Sequence, residues 1–200
     1  MFDAKLRPLI DPPLNYIGRR LAQIGITANV ATLAGGAVGL AAGTAIACGL
    51  FGVGLVLIII NRLLDGLDGA IARASQPSDF GGYLDIVADF AFYIAIPVGF
   101  GFAAASNLPA ALILVAAFTL TGISFLSFAA IATKRGLETT AHGAKSFFYS
   151  SGLAEGTETI AAFVLMCLIP AAFPVIAFSY ATLCIATVIQ RSISAYASFR

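Results

Sequence analysis

Charged residues are scarce in this chain of 200 residues, and their scarcity excludes most classes of soluble protein. Only 10% of the residues are charged, whereas 60% are hydrophobic and the mean hydropathy is +0.96. A soluble globular domain carries roughly a quarter charged residues. Intrinsic disorder is excluded as well, because it needs low hydrophobicity. The composition therefore predicts a membrane protein of one domain.

Cysteine is scarce, and a basic excess and a glycine repeat are missing. Three cysteines are too few for a disulfide scaffold, and 20 glycines without a triplet period exclude collagen. The 11 Lys and Arg residues are balanced by 10 Asp and Glu residues, so no nucleic-acid partner is expected. We expect the three thiols to be buried, free and without a chemical role.

Long apolar runs are abundant. A bilayer-spanning helix needs about 20 mostly apolar residues, and turn residues or charges separate several runs of about that length. The expected fold class is an all-α integral membrane protein with six transmembrane helices preceded by a short juxtamembrane amphipathic helix. The expected spans are residues 29–49, 51–70, 82–105, 109–132, 153–169 and 173–195.

The few basic residues indicate the orientation. An even number of spans places both termini on one side, and Lys and Arg concentrate on the cytoplasmic side. All the Lys and Arg residues map to one side of the predicted topology. We therefore expect a multi-pass protein of the cell inner (cytoplasmic) membrane, with both termini and the active site in the cytoplasm.

A short helix is predicted at residues 13–24, where Pro13 suits a first helical turn. Its apolar positions share one arc, at Leu14, Ile17, Leu21 and Ile24. The helix either lies in the membrane interface or packs on the bundle as a cytoplasmic cap. Residues 1–28 are therefore expected to be a cytoplasmic segment, and residues 29–200 the six-helix domain.

The first predicted span contains a stripe of glycines at Gly35, Gly39 and Gly43. Residues four apart share one helix face, and small residues there let another helix approach closely. We expect the stripe to serve packing within the bundle. A seam between two chains, giving a homodimer, is the alternative.

Four aspartates stand out, because charge at membrane depth is costly. Asp65 and Asp68 end the second span, and Asp85 and Asp89 open the third, each pair on one helical face. A short loop makes these helices antiparallel neighbours, so the four carboxylates are expected to converge. Crowded anions need cations. The all-oxygen ligand set favours Mg²⁺ or Mn²⁺ over zinc, and we expect two ions.

Small residues and an arginine surround the acids. Gly69, Ala72, Gly81 and Gly82 leave space beside the backbone, and Arg73 supplies a cation for phosphate. Magnesium held by carboxylates usually completes its shell with water and substrate phosphates, so a diphosphate is the expected ligand. A remaining carboxylate can take the proton from an attacking hydroxyl. The pattern predicts phosphoryl-type transfer.

These residues resemble the signature of the CDP-alcohol phosphotransferases (CDP-alcohol phosphatidyltransferases, class I), membrane enzymes of phospholipid synthesis. The matching pattern is Asp65-x2-Asp68-Gly69-x2-Ala72-Arg73-x7-Gly81-x3-Asp85-x3-Asp89. The six-span topology resembles that of the family as well. Where this chain has seven residues before Gly81 the family often has eight, so Gly82 is an alternative. Residues 145–159 resemble a bacterial inner-membrane branch of the family, and this likeness indicates no substrate.

The resemblance implies a role for each matching residue. Asp65, Asp68 and Asp85 would be metal ligands, and Asp89 would be both a ligand and the general base that deprotonates the acceptor alcohol. The donor, CDP-diacylglycerol or a related CDP-lipid, would bind at Asp68, Gly69, Ala72, Arg73 and Gly81. The acceptor oxygen would attack the lipid-linked phosphorus, and CMP would leave.

The acceptor site is predicted from charged residues on the cytoplasmic face, because many family members take phosphorylated acceptors. Arg191 lies inside the last span, where loop position does not account for its charge. The other candidate contacts are Lys134, Arg135, Lys145 and Glu158, with Glu155 considered beside Glu158. Positive-inside anchoring is the alternative for the loop cations, and a structural ion pair is the alternative for the glutamates.

Two other classes of function stay open on the residues alone. Intramembrane acids also line ion or proton-coupled transporters, although those acids more often lie near mid-membrane on several helices. A structural protein with a decayed motif is the third class, and the intact motif argues against it. An assay for CMP release would distinguish the enzyme from a transporter and from a structural protein.

Overall fold

The computed structural model of the protein describes residues 3–136 and 153–200, and every regular element in these ranges is helical. Short 3-10 turns precede the fifth and seventh α-helices. The described helices are α1 (Asp3–Gln23), α2 (Ala28–Ala47), α3 (Phe51–Ala74), α4 (Asp79–Ala103), α5 (Leu108–Lys134), α6 (Gly156–Leu168) and α7 (Phe173–Phe199). Of the predicted site residues, Lys145 lies outside the described ranges.

Within the described residues, four helices are long and apolar enough to cross a membrane. They are α2, α4, α5 with its preceding turn, and α7 with its preceding turn. Helix α3 has 24 residues, but its second half contains Arg62, Asp65 and Asp68, so its charge sets it apart from the four. An all-helical protein with several apolar helices is confirmed.

Helix α6 is shorter than its predicted span. It has 13 residues and is therefore about 20 Å long, shorter than the roughly 30 Å hydrocarbon core of a bilayer. The predicted start of this span at residue 153 is wrong, because the helix begins at Gly156. The backbone N–H groups of Leu153 and Ala154 instead donate to Thr187 Oγ1 on α7, at 3.1 and 2.9 Å.

Large apolar side chains cover the outer faces of the helices. Leu33 on α2, Leu112 on α5 and Val175 on α7 are 60%, 61% and 69% exposed. A soluble monomer rarely presents extensive apolar surface, whereas lipid tails are as apolar as leucine and can cover it. The described surface is that of an integral membrane protein.

Helix α2 organises the half of the bundle that carries the aspartates. Helices α3 and α4 both pack along α2, far more extensively than they pack on each other. A Cβ at Gly43 would stand 2.6 Å from the backbone oxygen of Ala95 on α4, and one at Gly39 would stand 3.0 Å from Asn61 on α3. Only glycine permits this approach, so the predicted use of the stripe within the bundle is confirmed.

Helix α1 is longer than predicted and packs on α3. It begins at Asp3 and continues through Pro13, so the predicted start at residue 13 is wrong. A Cβ on Gly18 would stand 2.7 Å from Ala70, and one on Gly66 would stand 2.7 Å from Leu14. These close contacts favour the cap on the bundle, the second of the two alternatives for this helix.

The cysteines are only partly as expected. Cys167 and Cys184 are buried, but Cys48 is exposed, so the prediction of burial is wrong for Cys48. It lies at the C-terminus of α2, where Gly49 turns the chain with φ +77°. The N–H of Leu50 donates to the carbonyl of Ala45 at 2.9 Å. This helix-ending turn leaves Cys48 on the outside.

Candidate active site

Three of the four predicted aspartates converge. Asp65 and Asp68 on α3 and Asp85 on α4 each place a carboxylate oxygen within 4.8 Å of the other two. Such an oxygen set suits a divalent cation of the magnesium or manganese type. We call these three residues the carboxylate cluster.

The start of α4 is fixed by its cap, and the cap sets the register of the second acid pair. Pro77 ends the extended connection from α3, and Ser78 Oγ then accepts the backbone N–H of Gly81 at 3.0 Å, as an N-cap residue does. Asp85 and Asp89 follow on the next turns of the same face.

Helix α2 also contributes to the carboxylate cluster. Thr32 Oγ1 donates to Asp68 Oδ2 at 2.7 Å, and Asp68 is 6% exposed. The hydroxyl holds one oxygen of the buried carboxylate in a fixed direction. The sequence gave no sign of this contact, because it joins residues 36 positions apart.

Asp89 lies outside the carboxylate cluster and is paired with an arginine. Arg62 Nη2 is 2.9 Å from Asp89 Oδ1, and Arg62 Nη1 is 3.4 Å from Asp65 Oδ2. The motif assigns no role to Arg62. Its signal was visible, since it is an arginine inside an apolar run, and such a charge needs a partner.

A cavity of about 530 Å³ opens beside the cluster. Most of the predicted donor-binding residues line it, as does the polar start of α2; the lining includes Asn29, Thr32, Asp68, Gly69, Ala72, Gly81, Gly82 and Asp85. A Cβ on Gly81 would stand 3.0 Å from Asn29 Oδ1, whereas nothing lies within 4 Å of one on Gly82. A side chain at Gly81 would therefore crowd Asn29, whereas one at Gly82 would meet open space.

Arg73 is held at the edge of this cavity. Its Nε and Nη2 donate to Asn15 Oδ1 on α1 at 3.1 and 2.9 Å. Its Nη1 lies 3.3 Å from the position of a Cβ on Gly69. Helix α1 therefore positions the predicted phosphate-binding cation, a contact that the sequence did not indicate.

A second cavity, of about 280 Å³, lies on the other side of Asp89. Its polar lining residues include Thr121, Thr159, Glu155 and Arg191. Arg191 is 7% exposed, and its Nη1 donates to the Thr121 carbonyl at 3.0 Å and to Ser124 Oγ at 2.7 Å. We call this space the Arg191 cavity.

Among the described residues, the other predicted acceptor contacts, Lys134, Arg135 and Glu158, do not line the Arg191 cavity. Lys134 and Arg135 are exposed at the end of α5, and the Arg135 guanidinium lies 5.6 Å from the Phe199 ring centroid. Glu158 lies in the first turn of α6 away from the cavity lining, which Glu155 joins instead.

Fold and site together define a helical membrane protein whose carboxylates suit a divalent cation, beside a cavity of a size typical for small-molecule ligands. The chain belongs to the CDP-alcohol phosphatidyltransferase family, because a sequence model of that family matches residues 25–191. The resemblance seen in the motif is confirmed.

Two proteins with related sequences are similar to this chain. The inner membrane protein YnjF of Escherichia coli is 46% identical over 201 aligned positions, covering 100% of this chain and 98% of YnjF. Archaetidylinositol phosphate synthase of Pyrococcus horikoshii is 38% identical over 87 residues, covering 43% of this chain and 46% of the synthase.

The fold matches solved structures of Mycobacterium tuberculosis phosphatidylinositol phosphate synthase (PgsA1). One contains manganese and citrate, with a TM-score of 0.70 and 23% identity over 92% of this chain and 88% of PgsA1. Another contains CDP-DAG, with a TM-score of 0.70 and 22% identity over 92% and 93% of the two chains. The described helices thus have the arrangement of a known membrane enzyme.

Proposed function

We propose that the protein transfers a phosphatidyl group from a CDP-linked lipid, such as CDP-diacylglycerol, to a hydroxyl acceptor with release of CMP, in phospholipid synthesis. The family sets this reaction class. One observation carries the proposal: Asp68 and Asp85 of the carboxylate cluster line the larger cavity, and Asp89, which shares a small gap with the three cluster acids, also lines the Arg191 cavity. A donor and an acceptor therefore meet at one group of acids.

The larger cavity is the proposed donor site. Gly69, Ala72 and Gly81 line it or border it without bulky side chains, so a diphosphate can approach backbone N–H groups and the acids. Arg73 is held by Asn15 beside Gly69, where a guanidinium can bind phosphate oxygens. The relative PgsA1 has been solved with CDP-DAG bound, which supports this choice of donor.

Asp65, Asp68 and Asp85 are the proposed ligands of a Mg²⁺ or Mn²⁺ ion, and the oxygen donor set fits either metal. When bound, divalent ions supply charge that stabilises phosphate oxygens in phosphoryl-type transfer. Two ions in the donor complex, the second in contact with Asp89, complete the proposal. Manganese in one PgsA1 structure supports the choice of metal.

Asp89 is the proposed general base. Its carboxylate takes the proton of the acceptor hydroxyl as the acceptor oxygen forms its bond to the lipid-linked phosphorus. The bond from that phosphorus to the CMP oxygen breaks, and CMP leaves with the electron pair. The placement of Asp89 on the wall of the Arg191 cavity supports this role, since a base must reach the proton that it removes.

The Arg191 cavity is the proposed acceptor site. Arg191 supplies the cation that a phosphorylated acceptor needs, and Lys145 remains a proposed second contact. Glu155 on the cavity wall is proposed to bind acceptor hydroxyls in place of Glu158. Lys134 and Arg135 are better explained as positive-inside anchors, because both are exposed away from this cavity.

We propose that α3 and α6 complete a six-span topology with the four apolar helices. Both termini and the active site then lie on the cytoplasmic face of the inner membrane, where the basic residues concentrate. The exposed Ile17 and Ile24 on the α1 side contact lipid headgroups while α1 packs on α3.

The acceptor is identified by supplying purified protein with CDP-diacylglycerol, Mg²⁺ and one alcohol at a time. The panel is glycerol 3-phosphate, inositol 1-phosphate, serine and phosphatidylglycerol, and the readout is CMP released. A phosphorylated alcohol is the expected substrate. Release of CMP with none of them, together with ion flux across vesicles that contain the protein, would replace the enzyme with a transporter.

A further inference from the structure

Arg62 is fixed in place from several sides. Its Nε donates to Asn61 Oδ1 at 2.7 Å, and Asn61 Nδ2 donates in turn to the carbonyl of Gly35 on α2 at 2.8 Å. The guanidinium carbon lies 4.4 Å from the centroid of the Phe92 ring, within the range of a cation–π contact. Only 19% of the side chain is exposed. These contacts keep the guanidinium in one position between α3 and α4.

This position determines where Asp89 points. Asp85 and Asp89 are one turn apart on α4, yet only Asp85 joins the carboxylate cluster. Asp89 Oδ1 accepts from Arg62 Nη2 at 2.9 Å. Within the described residues no donor contacts the other oxygen, Oδ2. Asp89 lines the Arg191 cavity and also a small gap that it shares with the three acids of the carboxylate cluster.

A guanidinium and a divalent ion compete for the same carboxylate, because each brings positive charge and the two repel at contact distance. Arg62 does not line the donor cavity, so its contacts are with the acids and not with the proposed CDP-lipid. Its effect on the reaction therefore passes through the acids that it contacts, most closely Asp89 at 2.9 Å and less closely Asp65 at 3.4 Å.

We infer that Arg62 is a positioning residue that holds Asp89 out of the metal site of the donor-free protein and keeps it at the Arg191 cavity. The carboxylate cluster then binds the first ion without Asp89. The inference rests on the proposed function for the role of Asp89 as a base. It adds an order of events, because the Arg62–Asp89 ion pair must break before Asp89 can bind a metal ion.

Mn²⁺ binding tests this without turnover. Electron paramagnetic resonance counts the ions bound by the purified full chain in detergent micelles, with no CDP-lipid present. We expect one ion for the wild type, a dissociation constant within about twofold of wild type for Asp89→Asn, and one raised about tenfold or more for Asp85→Asn. Arg62→Gln frees Asp89 and is expected to bind two ions, whereas Arg62→Gln/Asp89→Asn returns to one.

Arg20→Gln is the matched control. It removes the same charge from an exposed position on α1, and we expect it to bind one ion. Equal weakening by Asp89→Asn and Asp85→Asn would overturn the inference, as would two ions in the wild type or one in a folded Arg62→Gln. If Arg62→Gln fails to fold, the Mn²⁺ dissociation constants of Asp89→Asn and Asp85→Asn still test the inference, because it requires that only Asp85→Asn weakens binding of the first ion.

Comparing kcat with the KM for CDP-diacylglycerol distinguishes a positioning role of Arg62 from a merely structural one. Arg62→Gln should lower kcat at least tenfold and leave the KM for CDP-diacylglycerol within about twofold, and Arg62→Lys should restore part of kcat. A raised donor KM with unchanged kcat would contradict the positioning role. A wild type that releases no CMP would refute the proposed function. The Mn²⁺ binding experiment needs no donor, so it would still test whether Arg62 holds Asp89 away from the metal site.

Discussion

At the scale of single residues, neutral side chains orient the charged ones. Thr32 fixes Asp68, Asn61 fixes Arg62, and Asn15 fixes Arg73, each through a hydrogen bond of 3.1 Å or less. Carboxylates that bind metals depend on such partners, and loss of a partner usually costs about 10- to 100-fold in metal affinity or activity. The neutral residues therefore tune the site although they bear no charge.

Thr32→Val should weaken Mn²⁺ binding about tenfold, because valine keeps the shape of threonine but cannot donate to Asp68 Oδ2. The control is Thr44→Val on the same helix, where the hydroxyl donates only to the Leu40 carbonyl at 2.9 Å. A Mn²⁺ titration compares the two variants. Equal dissociation constants for both would show that the hydroxyl does not orient Asp68.

Arg191→Ala should raise the KM for a phosphorylated acceptor about tenfold or more, since it removes a charged hydrogen bond, and should leave the KM for CDP-diacylglycerol unchanged. Arg135→Ala is the control, because Arg135 is exposed beside Phe199. Steady-state kinetics with each substrate varied in turn provide the measurement. An unchanged acceptor KM would place the acceptor elsewhere than the Arg191 cavity.

At the scale of elements, α2 sets the distance between α3 and α4. The two helices that carry the acids rest on α2, and its glycines bring their backbones close. This explains how acids from two helices reach one cluster although these helices pack sparsely on each other. Small residues at helix crossings serve the same purpose in many membrane proteins.

Gly43→Ala should lower the stability of the protein by about 1–3 kcal/mol, because the added Cβ would press on the Ala95 carbonyl at 2.6 Å. Gly36→Ala on the same helix meets its nearest atom, the Cβ of Ala88, at 3.5 Å, and should be tolerated. Thermal unfolding in detergent micelles measures both variants. Equal midpoints for the two would argue against a close α2–α4 contact at Gly43.

At the scale of the whole molecule, the candidate active site and the stacked aromatic side chains lie at opposite ends of the bundle. The acids and the donor cavity lie at one end of α2, near Thr32. Stacked aromatic rings, such as Phe100 and Phe173 with centroids 4.5 Å apart, fill the other end of the bundle. A polar site at one end of the bundle and an apolar remainder suit the proposed transfer from a lipid donor to a hydroxyl acceptor.

The proposed topology places exposed Cys48 on the face opposite the active site. In intact cells a membrane-impermeant maleimide should label Cys48, while Cys167 and Cys184 are buried and should not react. A Cys48→Ser/Gln76→Cys variant moves the thiol to the α3–α4 connection and should react only after the cells are permeabilised. The reverse pattern would invert the proposed orientation.

The sequence predicted most of the helices because apolar runs and turn residues are local signals. From helix periodicity and a short loop the motif predicted that all four aspartates converge, and the structure brings Asp65, Asp68 and Asp85 into one cluster. Their two helices meet through α2 and pack sparsely on each other. The pairing of Arg62 with Asp89 was not predictable, because it depends on how α4 approaches α3 across α2. The length of α6 was missed because contacts to Thr187, far along the chain, decide where its helix begins.

Asp89 is proposed to serve phosphatidyl transfer at this site, and a side-by-side comparison of CMP release by the wild type and Asp89→Asn is the decisive test of that role. With CDP-diacylglycerol, an acceptor and Mg²⁺ or Mn²⁺, the wild type should release CMP and a chelator should stop it. Asp89→Asn should fold with the same thermal midpoint, within error, and release none. Full CMP release by Asp89→Asn would contradict the account.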